Sequence, residues 1–527
     1  ELPAAAEPLL RELGVGEERT PPVPLEQVRL AEPRLSDRIT ARLAGLVGQE
    51  NVAQDRLARV SHAAGRSYPD LIRLRAGDAS GAPDAVVYPH DAGQVAELLA
   101  ACEADNVAVV PFGGGTSVVG GVEPIADGFN GSVTLDLAHM NRLTAVDRES
   151  LIATFEPGVT GPRAEALLAS RGFTLGHFPQ SFEFATIGGF VATRSAGQAS
   201  TGYGRIDRLV LGLRCTAPAG EVEVKPFPAS AAGPSLRELI VGSEGVLGVI
   251  TEATLSVRPL PERRRYEGWS FHSFEEGCEA FREMEQAGAS PDVARLSDEQ
   301  ETALSMALAS NGSAAERAGR AYLKARSHEG GCIAIVGFEG DEKELEHRRA
   351  RTRGLLKTGG GLALGERPGR LWLRSRYAAP YLRDALLDRA VMVETLETAS
   401  TWSRLGELYG AVSDALRASL TTRGTPPLVM CHVSHLYPSG ASLYFTFLAR
   451  REEGAELEQW AAAKSAASDA IVAHHGTITH HHAVGRDHAP WMRAEVGELG
   501  LELLRAAKDK LDPRGIMNPG KLLPLPS

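Results

Sequence analysis

The sequence predicts an α+β protein of more than one domain, and three observations support this class. The chain has 527 residues, which corresponds to roughly two to four domains. A strand–helix–strand pattern begins at Pro83, and a second region of mixed strands and helices follows a proline-rich exit at 258–261. Hydrophobic residues make up 43% and charged residues 23% of the chain, which argues against a disordered protein.

The first predicted elements form a β-α-β unit. Residues 85–88 predict a strand, Asp91 caps a helix that runs to about Asp105, and residues 107–110 predict a second strand. The two strands are expected to be parallel, because a crossover helix connects them. Further strands are predicted at 133–137, 143–146, 151–156, 209–215, 221–224 and 249–257, and a helix at 162–171.

The region after the proline-rich exit predicts a separate α+β domain. Its predicted helices lie at 274–287, 341–356 and 380–391. Its predicted strands lie at 332–338, 428–433 and 442–448. The chain is thus expected to divide into a helical lead, a first domain, a second domain and a C-terminal segment. These parts are predicted at 1–82, 83–258, 259–476 and 477–527.

Charge and cysteine usage exclude several classes of protein. Lys and Arg number 56 against 67 Asp and Glu, so the net charge is −11. This balance argues against a nucleic-acid binder and against general adhesion to anionic lipid. The five cysteines are scattered without a Cys-x-x-Cys motif, which predicts reduced thiols in a cytoplasmic protein. No apolar run approaches the length of a membrane span.

A glycine-rich loop follows the second strand of the β-α-β unit. It consists of Pro111, Phe112, Gly113, Gly114, Gly115, Thr116 and Ser117. Successive N–H groups and two hydroxyls in such a loop can bind an anion. The P-loop and Rossmann patterns are excluded, because no lysine follows the glycines and Val118 stands where a third glycine is needed. From the residues alone, a phosphate loop and a flexible turn are equally open.

Two further segments mix small residues with hydroxyls where a packed element would use larger apolar side chains. They lie at 180–197 and 242–251, and such stretches suit a large, flat ligand against the backbone. Their candidate residues are Gln180, Ser181, Phe182, Glu183, Phe184, Ala185, Thr186, Gly188, Gly189, Thr193, Arg194, Ser195, Ala196, Glu244, Gly245, Val246, Leu247, Gly248, Val249 and Ile250.

The order PFGGGTS, QSFEFATIGG, TRSAG and EGVLGVITEAT resembles the FAD-binding domain of the vanillyl-alcohol-oxidase superfamily over residues 83–258. The resemblance implies a two-subdomain FAD-binding domain, with the pyrophosphate on the PFGGGTS loop. It also implies an α+β cap domain at 259–476 for the substrate, and a C-terminal segment that closes over the flavin site. The loop at 113–119 carries neither His nor Cys, so we expect non-covalent FAD.

Within that superfamily, the chain resembles the alkyldihydroxyacetonephosphate synthase family over residues 55–523. His177 occupies the family's Gly-His position. The other matching segments are Ala294-Arg295-Leu296, Tyr381-Leu382-Arg383-Asp384, Leu443-Tyr444-Phe445 and His480-His481-His482-Ala483-Val484-Gly485. Gln180 stands where the family usually has aspartate, and Ala483 where it has glycine. These departures leave the identity of the substrate open.

Two residues of these segments are candidates for phosphate binding and proton transfer. Arg383 is expected in the first turn of a helix that begins near Pro380, where arginine and helix N–H groups can bind phosphate. The alternative is a solvated arginine or a local ion pair. Tyr444 is expected on the polar face of a strand with Ser442 and Thr446. The alternative is a tyrosine that only packs.

The histidine run His480, His481 and His482 suits proton transfer, because the pKa of histidine lies near neutrality. On an extended strand, adjacent histidines would point to opposite sides, so we expect no metal site. A structural role for one or two of the three is an open alternative. Arg295 is a candidate for positioning substrate or flavin, and an ion pair with Asp298 is the alternative.

The resemblance implies an exchange of the fatty acid of acyl-dihydroxyacetone phosphate for a long-chain alcohol, which forms an ether bond. Tyr444 would move the proton, the histidine segment would assist, and Arg383 would bind the phosphate. Peripheral membrane contact, to which 370–376 could contribute, and a homodimer are left open. The alternatives are an FAD-dependent oxidase or dehydrogenase of 2-hydroxy acids such as D-lactate or glycolate, and a flavin-binding protein without enzymatic activity.

Overall fold

The computed structural model describes residue 2, residues 6–310 and residues 313–524. The ends of the predicted helical lead, at 1 and 3–5, and of the predicted C-terminal segment, at 525–527, lie outside the described residues. The chain forms two compact units, each assembled from three separate stretches. Unit 1 consists of Glu1–Pro21, Gln198–Tyr203 and Leu260–His480; unit 2 consists of Pro22–Gly197, Gly204–Pro259 and His481–Ser527.

The first sheet of unit 2 carries the β-α-β unit. Its strand order is Val52–Ala53, Ala85–Val87, Ser132–Asp136 and Ala108–Phe112. The helix Ala92–Asp105 is confirmed, with the Asp91 side chain accepting from the N–H of Gln94 and with Asn106 in the left-handed region at φ 50°. The two strands of the unit are parallel, but they flank the strand Ser132–Asp136 and do not pair with each other.

The second sheet of unit 2 is antiparallel throughout. Its strand order is Leu143–Asp147, Ile152–Phe155, Val249–Ser256, Val210–Ala217 and Gly220–Val224. A short pair, Phe173–Thr174 with Arg258–Pro259, stands apart. The helices of this unit are Asp37–Val47, Arg56–Ser61, Tyr68–Arg75, Ala92–Asp105, Gly161–Ala169, Ile187–Ala192, Ile206–Leu209, Leu236–Ile240 and Met492–Leu511. Fully buried Phe155, Phe190 and Leu255 belong to the core beside this sheet.

Unit 1 is built on one seven-stranded antiparallel sheet. Its strand order is Leu362–Gly365, Arg263–Phe271, Cys332–Gly340, Val293–Ser297, Leu428–Tyr437, Gly440–Arg450 and Val391–Thr401. Its helices are Glu7–Glu12, Ser200–Tyr203, Phe274–Gln286, Glu299–Leu308, Ala314–Ala325, Glu342–Thr358, Glu366–Ser375, Ala379–Leu387, Trp402–Thr422 and Glu456–Ala473.

The helix predicted at 380–391 ends earlier than expected. It spans Ala379–Leu387, and Ala390 takes a left-handed φ of 53°. Val391 then begins a strand and pairs with Arg450. The run Val-Met-Val-Glu-Thr at 391–395 contains three β-branched residues, which favour a strand over a helix.

The start of the chain belongs to the core of unit 1. Leu10 and Leu13 pack in one buried cluster with Leu386, Val391 and Leu448. The Glu7 carboxylate also pairs with Arg389 at 2.8 Å. Across the described residues, no helix combines the length and apolarity needed to cross a membrane.

Candidate active site

A row of polar side chains crosses four strands of the unit 1 sheet. Glu397 lies opposite Tyr444, Tyr444 lies opposite His432, and His432 lies opposite Ser297. Residues that are directly opposite on neighbouring strands project from the same face of a sheet. The fold therefore gathers one acid, one phenol and one imidazole on a single face.

Tyr444 lies on the less buried face of its strand, as the alternating pattern predicts. Tyr444 and Thr446 are half-buried, whereas Leu443, Phe445 and Phe447 are fully buried. Ser442, which was predicted on the same face as Tyr444, is fully buried as well. Burial raises the pKa of Tyr444 to about 12, although the hydrogen bond with Thr395 lowers it. The phenol therefore keeps its proton near neutral pH in the structure as described.

Charges on the neighbouring strand Val391–Thr401 and on a nearby helix also act on Tyr444. The carboxylates of Glu397 and Glu394 favour the protonated phenol, and the Arg383 guanidinium opposes them and lowers the pKa of Tyr444. A cation that changes the protonation equilibrium of a phenol lies within electrostatic reach of it. Arg383 therefore lies within electrostatic reach of Tyr444.

The helix position predicted for Arg383 is wrong. The helix begins at Ala379, one residue before Pro380, so Arg383 is the fifth helical residue and lies in the second turn. The dipole effect is confined to the first turn, so helix N–H groups do not extend the phosphate site at this residue. The assignment of Arg383 to phosphate binding therefore depends on its half-buried guanidinium alone.

Glu397 was not predicted, and it links the tyrosine row to the histidine segment. Its carboxylate accepts hydrogen bonds from the Thr479 hydroxyl at 2.7 Å and from the backbone N–H of His480 at 2.5 Å. Glu397 is 1% exposed. Two glutamates in the otherwise apolar and hydroxyl-bearing strand Val391–Thr401 were the available signal, because a charge is rarely buried without a partner.

The His480 ring is held by two further side chains of unit 1. Its Nε2 lies 2.6 Å from the Tyr437 hydroxyl, and its ring stacks on His435 with the centroids 5.0 Å apart. His435 Nδ1 in turn lies 2.6 Å from the Ser200 hydroxyl. His480 is thus an anchored residue at the end of unit 1.

The extended strand predicted for the three histidines is wrong. Residues 480–482 form a bend, and the rings of His481 and His482 meet edge to face with their centroids 4.7 Å apart. Ala483 follows with a left-handed φ of 73°. This conformation costs a residue with a side chain more than it costs glycine, which explains why glycine suits this position.

Glu244 of the fourth motif holds the segment that follows the histidines. Its buried carboxylate accepts from the N–H of Val484 at 2.8 Å and of Gly485 at 2.7 Å. Burial raises the pKa of Glu244 to about 7, although these two N–H groups oppose the increase. Within unit 2, the fourth motif and the segment after His482 are therefore one hydrogen-bonded structure.

Arg295 forms its ion pair with Glu301, so the alternative pair with Asp298 is wrong. Arg295 Nη2 lies 2.6 Å from Glu301 Oε1. Asp298 instead caps the helix Glu299–Leu308 by accepting from the N–H of Glu301, and it also accepts from the N–H of Cys431. Glu301 and His432 were missed in the sequence, because no local pattern links Arg295 to a residue on a neighbouring strand or on the helix that follows its own strand.

The glycine loop of unit 2 packs directly against the second motif. A Cβ on Gly114 would lie 2.0 Å from the carbonyl oxygen of Phe184, and one on Gly113 would lie 2.3 Å from the Thr186 hydroxyl. Gly115 takes a φ of +62°. The loop therefore needs glycine for close approach and for backbone conformation, and the two motifs form one backbone-lined cradle.

The remaining motifs support this cradle. The Thr186 side chain caps the helix Ile187–Ala192. Arg194 Nε donates to the carbonyl of Val241 at 2.8 Å, which ties the third motif to the fourth. Ser117 Oγ accepts from the N–H of Gly121 at 2.9 Å within the first loop. The side chains at these positions thus stabilise the loops themselves, so backbone groups are the ones available to bind a ligand.

His177 fits a cofactor site by its chemistry. It is 1% exposed, and its Nε2 lies 2.7 Å from the Ser195 hydroxyl. Burial lowers the pKa of His177 to about 3, so the ring is neutral at ordinary pH. Its Nδ1 is buried without a hydrogen-bond partner among the described residues. The backbone cradle and this polar nitrogen fit a large polar cofactor such as FAD.

The C-terminal segment of unit 2 completes the support of the loop. The N–H of Asn518 donates to the carbonyl of Val109, and its side-chain amide donates to the carbonyls of Gly121 and Glu244. Lys521, 1% exposed, donates to the carbonyl of Glu123. Strand, loop and fourth motif are therefore held by one short stretch near the end of the chain.

These features define a flavoprotein of the FAD-linked oxidase class. The family described as "FAD binding domain" matches residues 83–224, and the family described as "FAD linked oxidases, C-terminal domain" matches residues 260–522. FAD is accordingly the cofactor, and the two-subdomain FAD-binding domain with an α+β cap is confirmed as the fold class. The solved 4-ethylphenol oxidase from Gulosibacter chungangensis, at 15% identity and a TM-score of 0.71, shares this fold.

More similar proteins identify the family. An alkyldihydroxyacetonephosphate synthase of Dictyostelium discoideum is 33% identical over 96% of this chain and 84% of its own length. One of Trypanosoma brucei brucei is 35% identical over 94% of this chain and 82% of its own length. A solved alkyldihydroxyacetonephosphate synthase matches with a TM-score of 0.85 at 30% identity, over 98% of this chain and 92% of that chain. The chain belongs to the alkyldihydroxyacetonephosphate synthase family.

Family membership decides between the alternatives left open by the sequence. A probable mitochondrial D-lactate dehydrogenase of Danio rerio is only 26% identical over 93% of this chain. The chain is therefore an FAD-dependent enzyme of the synthase family, and the 2-hydroxy-acid alternative is not supported.

Proposed function

We propose that the enzyme exchanges the acyl chain of acyl-dihydroxyacetone phosphate for a long-chain alcohol. The ester C–O bond to the fatty acid breaks, an ether C–O bond to the alcohol forms, and the fatty acid leaves, so the exchange has no net oxidation. One arrangement in the structure carries the proposal: Tyr444, a group that can transfer a proton, lies on the sheet face that also carries Glu397 and His432. Arg383, a cation suited to phosphate, lies within electrostatic reach of it. The names of the family members agree with this chemistry.

Tyr444 is proposed to accept and return the proton at the reacting carbon of the substrate. It lies on the face that also carries Thr395 and Thr446, where a polar substrate can bind. Arg383 would bind the phosphate through its planar guanidinium. His480, His481 and His482 would assist proton transfer to the departing carboxylate or from the incoming alcohol.

FAD, when bound, supplies an electrophilic centre and an electron sink. We propose that the loop at 111–117 holds its pyrophosphate through backbone N–H groups. His177 and the other loops would bind the rest of the cofactor. We expect dissociable FAD, since no His or Cys occurs at 113–119. Acid precipitation should release the yellow colour, and colour retained in the pellet would show a covalent link.

Peripheral membrane contact is also proposed, because both substrates carry long apolar chains. Leu371 is 50% exposed on the helix Glu366–Ser375, and Tyr381 is 55% exposed on the next helix. Basic residues flank Leu371 in sequence, which suits a lipid surface. Trp372 is less suited, because its ring stacks on Tyr266. Leu371→Ser should weaken co-sedimentation with anionic vesicles, whereas Leu236→Ser, exposed in unit 2, should not.

A cytoplasmic location and a homodimer complete the proposal. All five cysteines are free, and four of them are buried, which is typical of a reducing compartment. Cell fractionation tests the location, and light scattering during size-exclusion chromatography tests the number of copies. A monomeric mass in that measurement would contradict the proposed homodimer but would not affect the proposed reaction.

An exchange assay under anaerobic conditions tests the activity. Acyl-dihydroxyacetone phosphate should perturb the flavin spectrum, and added hexadecanol should restore it with release of fatty acid and an alkali-stable ether. D-lactate and glycolate should leave the spectrum unchanged. Full flavin reduction by a hydroxy acid, with no ether formed from the acyl substrate, would overturn the proposal.

A further inference from the structure

His432 lies between a buried ion pair and the Tyr444 ring. On one side, the rings of His432 and Tyr444 stack with centroids 4.8 Å apart and planes 18° apart. On the other side, the ring nitrogens of His432 meet Arg295 and Glu301. The imidazole is 6% exposed. The ion pair, the imidazole and the phenol therefore form one continuous contact across three strands and a helix.

Both ring nitrogens of His432 contact the ion pair. Its Nε2 lies 3.1 Å from Arg295 Nη1, and its Nδ1 lies 3.0 Å from Arg295 Nη2 and 3.2 Å from Glu301 Oε1. These three contacts fix the position and the plane of the imidazole.

The charges on the far side of the imidazole balance each other. Burial alone would raise the pKa of Glu301, but the Arg295 guanidinium and then His432 outweigh it and hold that pKa below its usual range. Glu301 is thus an anion and Arg295 a cation, 2.6 Å apart. Tyr444 stacks against an imidazole ring that is backed by this ion pair.

We propose that Glu301, Arg295 and His432 are positioning residues for the Tyr444 phenol. The pair holds the imidazole in one orientation, and the imidazole holds the phenol ring by stacking on it. This inference rests on the proposed role of Tyr444 in proton transfer. It gives Arg295 a function other than contact with substrate or flavin, because both of its terminal nitrogens bond within the protein.

Kinetics of two variants test the positioning. Glu301→Gln unlocks the pair, and His432→Gln keeps a donor and an acceptor for the pair but removes the ring. A displacement of about 1 Å at a reacting group costs up to roughly 100-fold in rate. We therefore expect kcat to fall about 10- to 100-fold in both variants with KM nearly unchanged.

Glu267→Gln is the matched control. Glu267 is a buried glutamate of the same sheet that pairs with Arg349 and Arg353. Its strand, Arg263–Phe271, lies four positions from the strand of Tyr444 in the sheet order. The control variant should keep kcat. Equal losses of kcat in all three variants would mean general destabilisation and would overturn the inference.

A second measurement does not depend on turnover. The pKa of Tyr444 can be followed by NMR with tyrosine labelled with 13C at Cζ, and the signal is assigned with Tyr444→Phe. Glu301→Gln leaves the Arg295 cation uncompensated and should lower the pKa of Tyr444 by roughly one unit. Arg295→Gln leaves the Glu301 anion and should raise it. Opposite shifts support the inference even if the wild-type enzyme shows no ether formation, and unshifted titrations in both variants overturn it even if exchange occurs.

Discussion

Glu397 lies directly opposite Tyr444 across two antiparallel strands, and its carboxylate accepts the backbone N–H of His480 at 2.5 Å. The negative charge of this one acid favours the protonated phenol and also fixes the first residue of the histidine segment. Tyr444 and His480, which we propose as proton-transfer groups, thus share one buried carboxylate although they lie in distant parts of the chain.

Tyr444→Phe should reduce turnover while FAD binding persists. The change removes one oxygen and little volume, and general acid–base catalysis is worth about 10²- to 10⁴-fold. Turnover and exchange of the substrate's C1 hydrogen with solvent should fall together by that order. Tyr322→Phe, at a 44% exposed tyrosine of the same unit, is the control. If Tyr444→Phe exchanges the substrate's C1 hydrogen at the wild-type rate, Tyr444 only packs and does not transfer the proton.

Arg383→Lys should raise KM with FAD content unchanged. The substitution keeps the charge but loses the planar fork that binds two phosphate oxygens at once. Steady-state kinetics and the absorbance of bound flavin measure the two effects. Arg417→Lys, at an arginine paired with Asp414 on a helix of the same unit, should change neither. An unaltered KM in Arg383→Lys would contradict the phosphate assignment.

Gly114→Ala should abolish or strongly weaken FAD binding. The added methyl group would meet the Phe184 carbonyl at 2.0 Å, so the loop or the second motif must move. The ratio of flavin to protein absorbance after purification measures the loss. Gly45→Ala is the matched control, because that glycine has open space around it. Full flavin content in Gly114→Ala would contradict the cradle.

Glu244 should make the unfolding free energy depend on pH. Burial raises its pKa from 4.5 to about 7, so the folded chain keeps a proton that the unfolded chain releases. The stability that it contributes is present at low pH and is lost as the pH rises from about 4.5 to about 7. Denaturant unfolding at several pH values should show a smaller decrease over this window for Glu244→Gln. Glu223→Gln, at an exposed position, is the control and should show the same pH dependence as the wild type. If Glu244→Gln also shows the wild-type dependence, Glu244 is already ionised in the folded chain and the prediction is wrong.

Local patterns predicted much of the fold. The helix Ala92–Asp105 was predicted to its cap, because Asp91 and Asn106 act through neighbouring residues. The two strands around that helix were predicted as parallel, and the strand at 133–137 was predicted too, but its position between them was not. That strand arrives later in the chain, and strand order depends on contacts that no short segment contains.

The candidate site was predicted less completely, for the same reason. Tyr444 and Arg383 were found from their segments and lie within electrostatic reach of each other. Glu397, Glu301 and His432 were missed, because each acquires its partner across strands or from a helix. The bend at 480–482 was missed because the backbone N–H of its first residue, His480, donates to Glu397, which lies far away in sequence.

The composition of unit 1 has a consequence for the order of folding during synthesis. Leu10 and Leu13 are buried against Leu448, so their partner is translated more than 430 residues later. At about 5–20 residues per second, the ribosome needs on the order of 20–90 s to cover that distance. During this time Leu10 and Leu13 lack part of the core in which they are buried. Chaperone binding to the nascent segment around these two residues would therefore matter more for this enzyme than for one whose domains are continuous in sequence.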